Sequence, residues 1–182
     1  MAVPDPFAID VPQGELDELH RRLAATRWPD AVTADWSQGT APGQLRSLID
    51  HWATAFDWRA AEARLNERRQ VLIGADGERI HAVLAGTVGA TPLLLLHGWP
   101  DGTIRFERAI PLLADRFEIV VPSIPGFGFS NRPTTAAGPA VIADRMAELM
   151  TALGHRRFAV HGADIGTHIA DQLAVRHTPT TR

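Results

Sequence analysis

The chain has no cysteine, so it can form no disulfide, bind no metal through thiolate and offer no cysteine nucleophile. Tyrosine is absent too, which removes the phenol as a proton donor. A strong charge of either sign is also missing: 18 basic residues against 21 acidic ones leave a formal net charge of −3. That balance gives no electrostatic ground for nucleic acid or an acidic lipid surface as a partner. No apolar stretch nears the roughly 20 residues that cross a bilayer. The opening MAVPDPFAID puts prolines and acids where a secretory signal carries a basic start and an apolar run. A cytoplasmic protein without membrane association is therefore expected. With 45% hydrophobic and 21% charged residues over 182 positions, the composition is that of a globular chain with one sizeable core and a smaller appendage.

The first 70 residues read as helices. Leu16, Leu19, Leu23 and Ala24 recur at helical spacing, which predicts a helix over Gln13 to Trp28 ended by Pro29. A loop rich in Ser, Gly, Thr and Pro, Asp35 to Gly43, is long enough to suggest that it packs against something. Further helices are predicted from about Gln44 to Phe56 and from Trp58 through Leu65, the latter finishing in the solvated, charged stretch Asn66 to Arg69. Trp28, Trp36, Trp52 and Trp58 are expected in core and inter-segment packing.

From Gln70 the period changes. Val71 to Ile73 and Arg79 to Leu84 read as a hairpin about the turn Ala75-Asp76-Gly77. Leu93 to Leu96 is an unbroken apolar run, as in a strand covered on both faces. A helix over Ile104 to Ala114, the strand FEIVVP, a glycine-rich loop SIPGFGFSNRP and a helix over Pro139 to Leu153 that stops at Gly154 follow. A strand over Phe158 to Val160 then leads through HGADIG into a helix over Thr167 to Val175. Alternating strands and helices predict an α/β fold with a mostly parallel sheet.

Two short stretches carry the chemistry. In HGADIG, Gly162 and Gly166 flank Asp164 at minus two and plus two, the spacing of a nucleophile elbow in which a strand turns abruptly into a helix. The helix N-terminus would keep a carboxylate ionised there, and a carboxylate, unlike serine, needs no base to attack. The string alone leaves open that Asp164 simply N-caps its helix. The second stretch is His97-Gly98-Trp99-Pro100, at the carboxyl end of the buried strand, where open α/β sheets bind ligands. The amides of Trp99 and Ile165 could form a two-donor oxyanion hole. An ordinary strand-to-helix turn, with His97 as a hydrogen-bonded turn residue, is the other reading.

HGWP after a leucine-rich strand, PSIPGFGFSNRP after the next and GADIG after the third resemble, in that order, the α/β-hydrolase-fold epoxide hydrolases. PFAIDVPQGELDELHRRLAATRWPD and FDWRAAEARLNE resemble the N-terminal segment of their microsomal-type branch, which separates it from the haloalkane dehalogenases, also users of an aspartate nucleophile. The resemblance covers nearly the whole chain. It implies the first half of an α/β-hydrolase fold over residues 70–182, a mostly parallel sheet begun by an antiparallel hairpin, behind a helical segment over residues 1–69. It implies Asp164 as the nucleophile that opens a small apolar epoxide through an alkyl-enzyme ester, with the backbone of Trp99 and Ile165 as oxyanion hole. His97, Gly98 and Pro100 would shape that turn, with no cofactor and no metal. Ile165 stands where the family usually has tryptophan.

In that family, lid tyrosines, a water-activating histidine and its acidic partner all follow the nucleophile. Here Arg182 lies 18 residues past Asp164, so the chain is expected to be truncated and to lack turnover by itself. Among nearby histidines, His161 is expected at a packed or edge position, His168 on the helix four residues beyond Asp164, and His155 and His177 at helix ends. His161 and His168 have no third residue to complete a metal site. Gly126-Phe127-Gly128 fails the G-x-G-x-x-G spacing, with Asn131 where the last glycine belongs, and is expected to line the site mouth. A non-catalytic binding or assembly module is the alternative function. An unpaired sheet edge near Phe158 to Val160 would favour homo-oligomers.

Overall fold

Strands form where apolar residues run without a break, and helices where they recur every three or four. A computed structural model describes residues 4–75 and 78–177. The chain divides into two units, Ile9–Leu65 and the rest, Met1–Ala8 with Asn66–Arg182.

The larger unit is built on a six-stranded sheet in the order β1-β2-β3-β5-β4-β6. Its strands are β1 (Asp5–Phe7), β2 (Arg69–Ala75), β3 (Glu78–Gly86), β4 (Thr91–Leu96), β5 (Phe117–Pro122) and β6 (Ala159–Gly162). The first four strands along the sheet pair antiparallel, and β4 pairs parallel with both β5 and β6. This is an α/β sheet with an antiparallel start, as the hairpin and the βαβ pattern predict. Residues 76 and 77 of the expected hairpin turn lie outside the described residues. The strand β1 has no counterpart in the sequence reading, because three residues containing a proline carry no legible period. Among the described residues, β6 pairs only with β4 and forms the sheet's edge.

Helices α5 (Pro139–Ala152) and α6 (Ile165–Arg176) pack on one face, with Met146, Leu149, Met150, Ile169 and Leu173 buried against Ile73, Ile80, Leu94 and Leu96 of the sheet. The other face buries Leu93, Leu95, Ile119 and Val121 against Phe106 and Ile110. That explains the unbroken Leu93 to Leu96 run, since both faces of β4 are covered. Helix α5 closes as foreseen: Gly154 takes φ 91°, its N–H bonds the Thr151 carbonyl and that of His155 the Met150 carbonyl, a Schellman end. The helix expected over Ile104 to Ala114 is instead a 3₁₀ turn, Thr103–Phe106, and the single-turn helix α4 (Ile110–Leu113). Pro111 has no N–H to continue a helix begun upstream and sits in the first turn of the new one. The strand and helix about HGADIG run over Ala159–Gly162 and Ile165–Arg176 rather than 158–160 and 167–175, so the turn between them is tighter than expected.

The smaller unit holds α1 (Gln13–Ala24), α2 (Pro42–Thr54) and most of α3 (Trp58–Asn66). The first helix stops short of Trp28: Thr26 turns both its N–H and its hydroxyl onto the Leu23 carbonyl. Pro29 disfavours helical backbone at Trp28, and the segment before it is no longer helical. Leu16 and Leu23 are buried as predicted, whereas Ala24 is exposed. Glu62 ties the unit together, accepting from the Val11 amide, the Trp58 indole and Arg59. Two expectations fail here. Trp36 and Trp52 are 65% and 41% exposed rather than core, and the loop from Asp35 to Gly43 buries Ala41 but is exposed from Asp35 to Thr40, capped locally by Asp35 on the Ser37 amide. Trp28 is half-buried beneath the Arg46 guanidinium, which lies 4.4 Å above its ring. Among the described residues, no helix is long and apolar enough to cross a membrane.

Candidate active site

The parallel register of β4 and β6 sets Leu96 opposite Gly162, so the residues that leave these two strands emerge side by side although 65 positions separate Trp99 from Asp164. The Ala163 amide bonds back to the Leu96 carbonyl at 3.1 Å, and the chain then turns straight into α6. At the apex Asp164 has φ 56°, ψ −124°, the one positive φ of a non-glycine residue among the described residues. Such backbone costs on the order of 1–3 kcal/mol and persists only where its surroundings over-determine it.

The surroundings do so through glycines. A Cβ on Gly166 would stand 2.6 Å from the carbonyl oxygens of both Leu96 and His97, and one on Gly162 would collide with the Gly166 carbonyl. A Cβ on Gly98 would meet that of Asp164 at 2.6 Å. Thus β4, β6 and α6 touch through bare backbone, and the side chain of Asp164 is pressed outward over Gly98.

Asp164 occupies the N-cap position of α6, yet its side chain makes no capping bond to the helix. Its Oδ1 instead accepts the Trp99 amide at 2.9 Å. The amide of Ile165, and then that of Trp99, hold the carboxyl below the ordinary aspartate range, with His168 and Arg105 adding smaller electrostatic contributions in the same direction. The simple N-cap reading of Asp164 is thereby set aside. The Trp99 amide named from the sequence thus meets an exposed, ionised carboxylate. Trp99 itself is 69% exposed, and Pro100 beside it is exposed as well. Asp101 then pairs with Arg105 at 2.6 Å.

His97 lies fully buried beneath this turn. The Ile124 amide donates to its Nε2 at 3.0 Å, so that nitrogen is bare and Nδ1 carries the proton, donating to the Gly98 carbonyl at 2.9 Å. Burial pushes its pKa down, and the Phe127 ring packs on it in a T-shaped pair with centroids 5.2 Å apart. The hydrogen-bonded turn residue considered from the sequence is what His97 is. The sequence did not reveal its partner Ile124, although the loop that holds it, SIPGFGFSNRP, stood out.

The other histidines fall into separate places. His161 is exposed on β6 beside Phe106, and His168 is exposed one turn along α6 from Asp164. His155 faces Glu118 at 3.7 Å and His177 bonds Asp144 at 2.8 Å. His81 is buried, with Nε2 donating to Gln70 Oε1 at 2.8 Å and Nδ1 accepting the Ser123 hydroxyl at 2.9 Å. Gln70 is oriented for this by donating its own amide to Asn66. Burial lowers the His81 pKa to about 4.

Comparison with known proteins gives these features a context. Residues 4–106 match the family model described as epoxide hydrolase N terminus, and residues 91–181 match that of the alpha/beta hydrolase fold. A protein of Stigmatella aurantiaca is 43% identical over 183 residues, covering 93% of this chain and 42% of its own length. Epoxide hydrolase 1 of Sus scrofa is 32% identical over 187 residues, covering 93% of this chain and 41% of its own. The crystal structure of juvenile hormone epoxide hydrolase from the silkworm Bombyx mori superposes with a TM-score of 0.88 at 30% identity, over 100% of this chain and 52% of that one. The chain spans less than half the length of the curated relatives it matches.

Proposed function

The chain belongs to the epoxide hydrolase family, and we propose that Asp164 is the nucleophile that opens a small apolar epoxide. One carboxylate oxygen attacks a ring carbon. The carbon–oxygen bond breaks, its electron pair goes to the ring oxygen, and that oxygen takes a proton from solvent water to become a hydroxyl. The result is a hydroxyalkyl ester of Asp164, from which water releases a diol and regenerates the carboxylate. The observation that carries this reading is the Trp99 amide on Asp164 Oδ1 at 2.9 Å, at the apex of a strained turn.

Those amides serve two stages. Before attack the Trp99 N–H holds Oδ1, with the Ile165 N–H acting on the same carboxyl, and the remaining oxygen lone pairs point at substrate. During ester hydrolysis they face the oxygen on which negative charge develops, where one such donor is typically worth about 3 kcal/mol. Because both are backbone donors, isoleucine at 165 alters the lining of the site and not its hydrogen bonding.

The second stage also needs a base to activate water. His81 and His97 have both ring nitrogens engaged inside the fold, His177 is bonded to Asp144, His155 lies 3.7 Å from Glu118, and His20 and His51 belong to α1 and α2 of the smaller unit. His161 and His168 are exposed, with no positioned acid beside them in the hydrogen bonds of the described residues. On this reading the 182 residues carry the first half-reaction, alkylation of Asp164, without turnover. Mass spectrometry after incubation with a small aryl epoxide should show one added epoxide mass on the peptide containing Asp164, and none in Asp164→Ala. Absence of the adduct from the unmodified chain, with a ligand bound elsewhere, would favour a non-catalytic binding module instead.

A further inference from the structure

The Trp99 amide is held on Asp164 by a turn whose geometry depends on residues outside the two catalytic stretches. Between Trp99 and the loop after β5 stands the buried ring of His97. Its two bonds have opposite sense: Nδ1–H donates to the Gly98 carbonyl, and Nε2 accepts the Ile124 amide. The Gly98 carbonyl belongs to the same peptide plane as the Trp99 N–H, so the bond that fixes one also fixes the direction of the other. Only the ring protonated at Nδ1 alone satisfies both partners. A ring protonated at Nε2 would set one N–H against the Ile124 N–H and leave the Gly98 carbonyl without its donor.

The partner loop is itself anchored. Ser123, next to Ile124, is bonded through its hydroxyl to His81, and its N–H donates to the His81 carbonyl at 2.8 Å. The Ser130 hydroxyl closes the loop onto the Ser123 carbonyl at 2.6 Å while accepting the His81 amide at 2.9 Å. Phe127 packs on the His97 ring in a T-shaped pair. The Ile124 amide is therefore presented by a hydrogen-bonded, largely buried frame, which is what allows it to select a tautomer.

We propose that His97 is a positioning residue: its Nδ1–H tautomer, selected by the Ile124 amide, orients the Gly98–Trp99 peptide so that its N–H points at Asp164. It touches no substrate. The proposal rests on the reading of Asp164 as nucleophile only for its consequence in chemistry; the orientation of the amide stands apart from it.

The first test uses the unmodified full chain. Long-range proton–nitrogen correlation should find the His97 ring protonated at Nδ1 and bare at Nε2 at neutral pH, and a ring protonated at Nε2 overturns the proposal. The second separates the two bonds. In His97→Asn an amide donor can occupy the place of Nδ1, while in His97→Gln the amide head reaches the place of Nε2 and loses the bond to Gly98. On lowering pH, the amide signals of Trp99 and Ile165 should both follow the ionisation of Asp164 in the unmodified chain. In His97→Gln the Trp99 signal should cease to follow while Ile165 continues, and His97→Asn should restore part of the response. Alkylation of Asp164 by a small aryl epoxide should fall roughly tenfold or more in His97→Gln and less in His97→Asn. A Trp99 signal that follows Asp164 equally in all three chains overturns the proposal. If the amide signals behave as expected but no chain is alkylated, the proposed reaction fails and the role of His97 stands.

Discussion

The turns at residues 97–100 and 162–166 and the helical unit Ile9–Leu65 treat small residues in opposite ways. At the turns, Gly98, Gly162 and Gly166 each stand where a single added carbon would meet backbone or Asp164. In the helices, Gly14 and Gly43 have nothing within 4 Å of the same added carbon. Large residues show the same contrast: His97 is wholly buried with both nitrogens bonded, whereas Trp36 and Trp52 are exposed. One region is determined by its neighbours atom by atom, and the other by helix periodicity and a few buried leucines. The strained backbone of Asp164 is held where determination is strongest, as strain requires.

The sharpest way to break this comparison is Gly166→Ala. The new methyl would press on the Leu96 and His97 carbonyls, both backbone and unable to move aside, so a loss of about 4 kcal/mol or more is expected, read as failure to fold or a collapse of the denaturant midpoint. An alanine tolerated there would show the turns to be looser than the packing implies.

Acid tests the buried histidine frame next. His81 has its pKa lowered to about 4 in the folded chain from 6.5, so below pH 6.5 the unfolded chain binds a proton that the folded chain does not. Stability is therefore full above pH 6.5 and falls as pH drops toward 4, by on the order of 3 kcal/mol. His97, lowered in the same direction, adds to this slope. Urea unfolding at pH 7 and pH 4.5 measures it, and His81→Gln should flatten the slope while costing stability at neutral pH.

The smallest effects belong to the helical unit. Gly43→Ala, early in α2, should stabilise by about 0.5–1 kcal/mol, and Trp52→Ala should change thermal stability within about 0.5 kcal/mol. A large loss from Trp52→Ala would mean that the exposed indole is covered in solution, and would erase the contrast.

Much of this was legible beforehand, for identifiable reasons. The elements with long, regular patterns, α5 and the runs of β4 and β5, appear close to where their periodicity put them, and α1 begins where it was placed. Gly154 ended α5 because a left-handed residue is what a Schellman end needs. The two site stretches were legible because turns that tight leave glycine at fixed spacing. The misses have equally local causes. Pro111 split a helix whose apolar pattern ran through it, and β1 was too short to show a period. The exposure of Trp36 and Trp52 was hidden because an aromatic side chain signals burial only on average.

What the sequence determined alone is therefore the order of elements, the places where backbone must turn sharply, and the presence of an aspartate at one of them. Each of these is a local property, encoded in side-chain period and in the freedom of glycine. Which atoms face that aspartate was decided by the tertiary structure, because Trp99 and Asp164 meet only through the parallel register of two strands, and His97 finds Ile124 only across a third. Hydrogen bonds between residues so far apart in the chain depend on packing, which no short stretch of sequence contains.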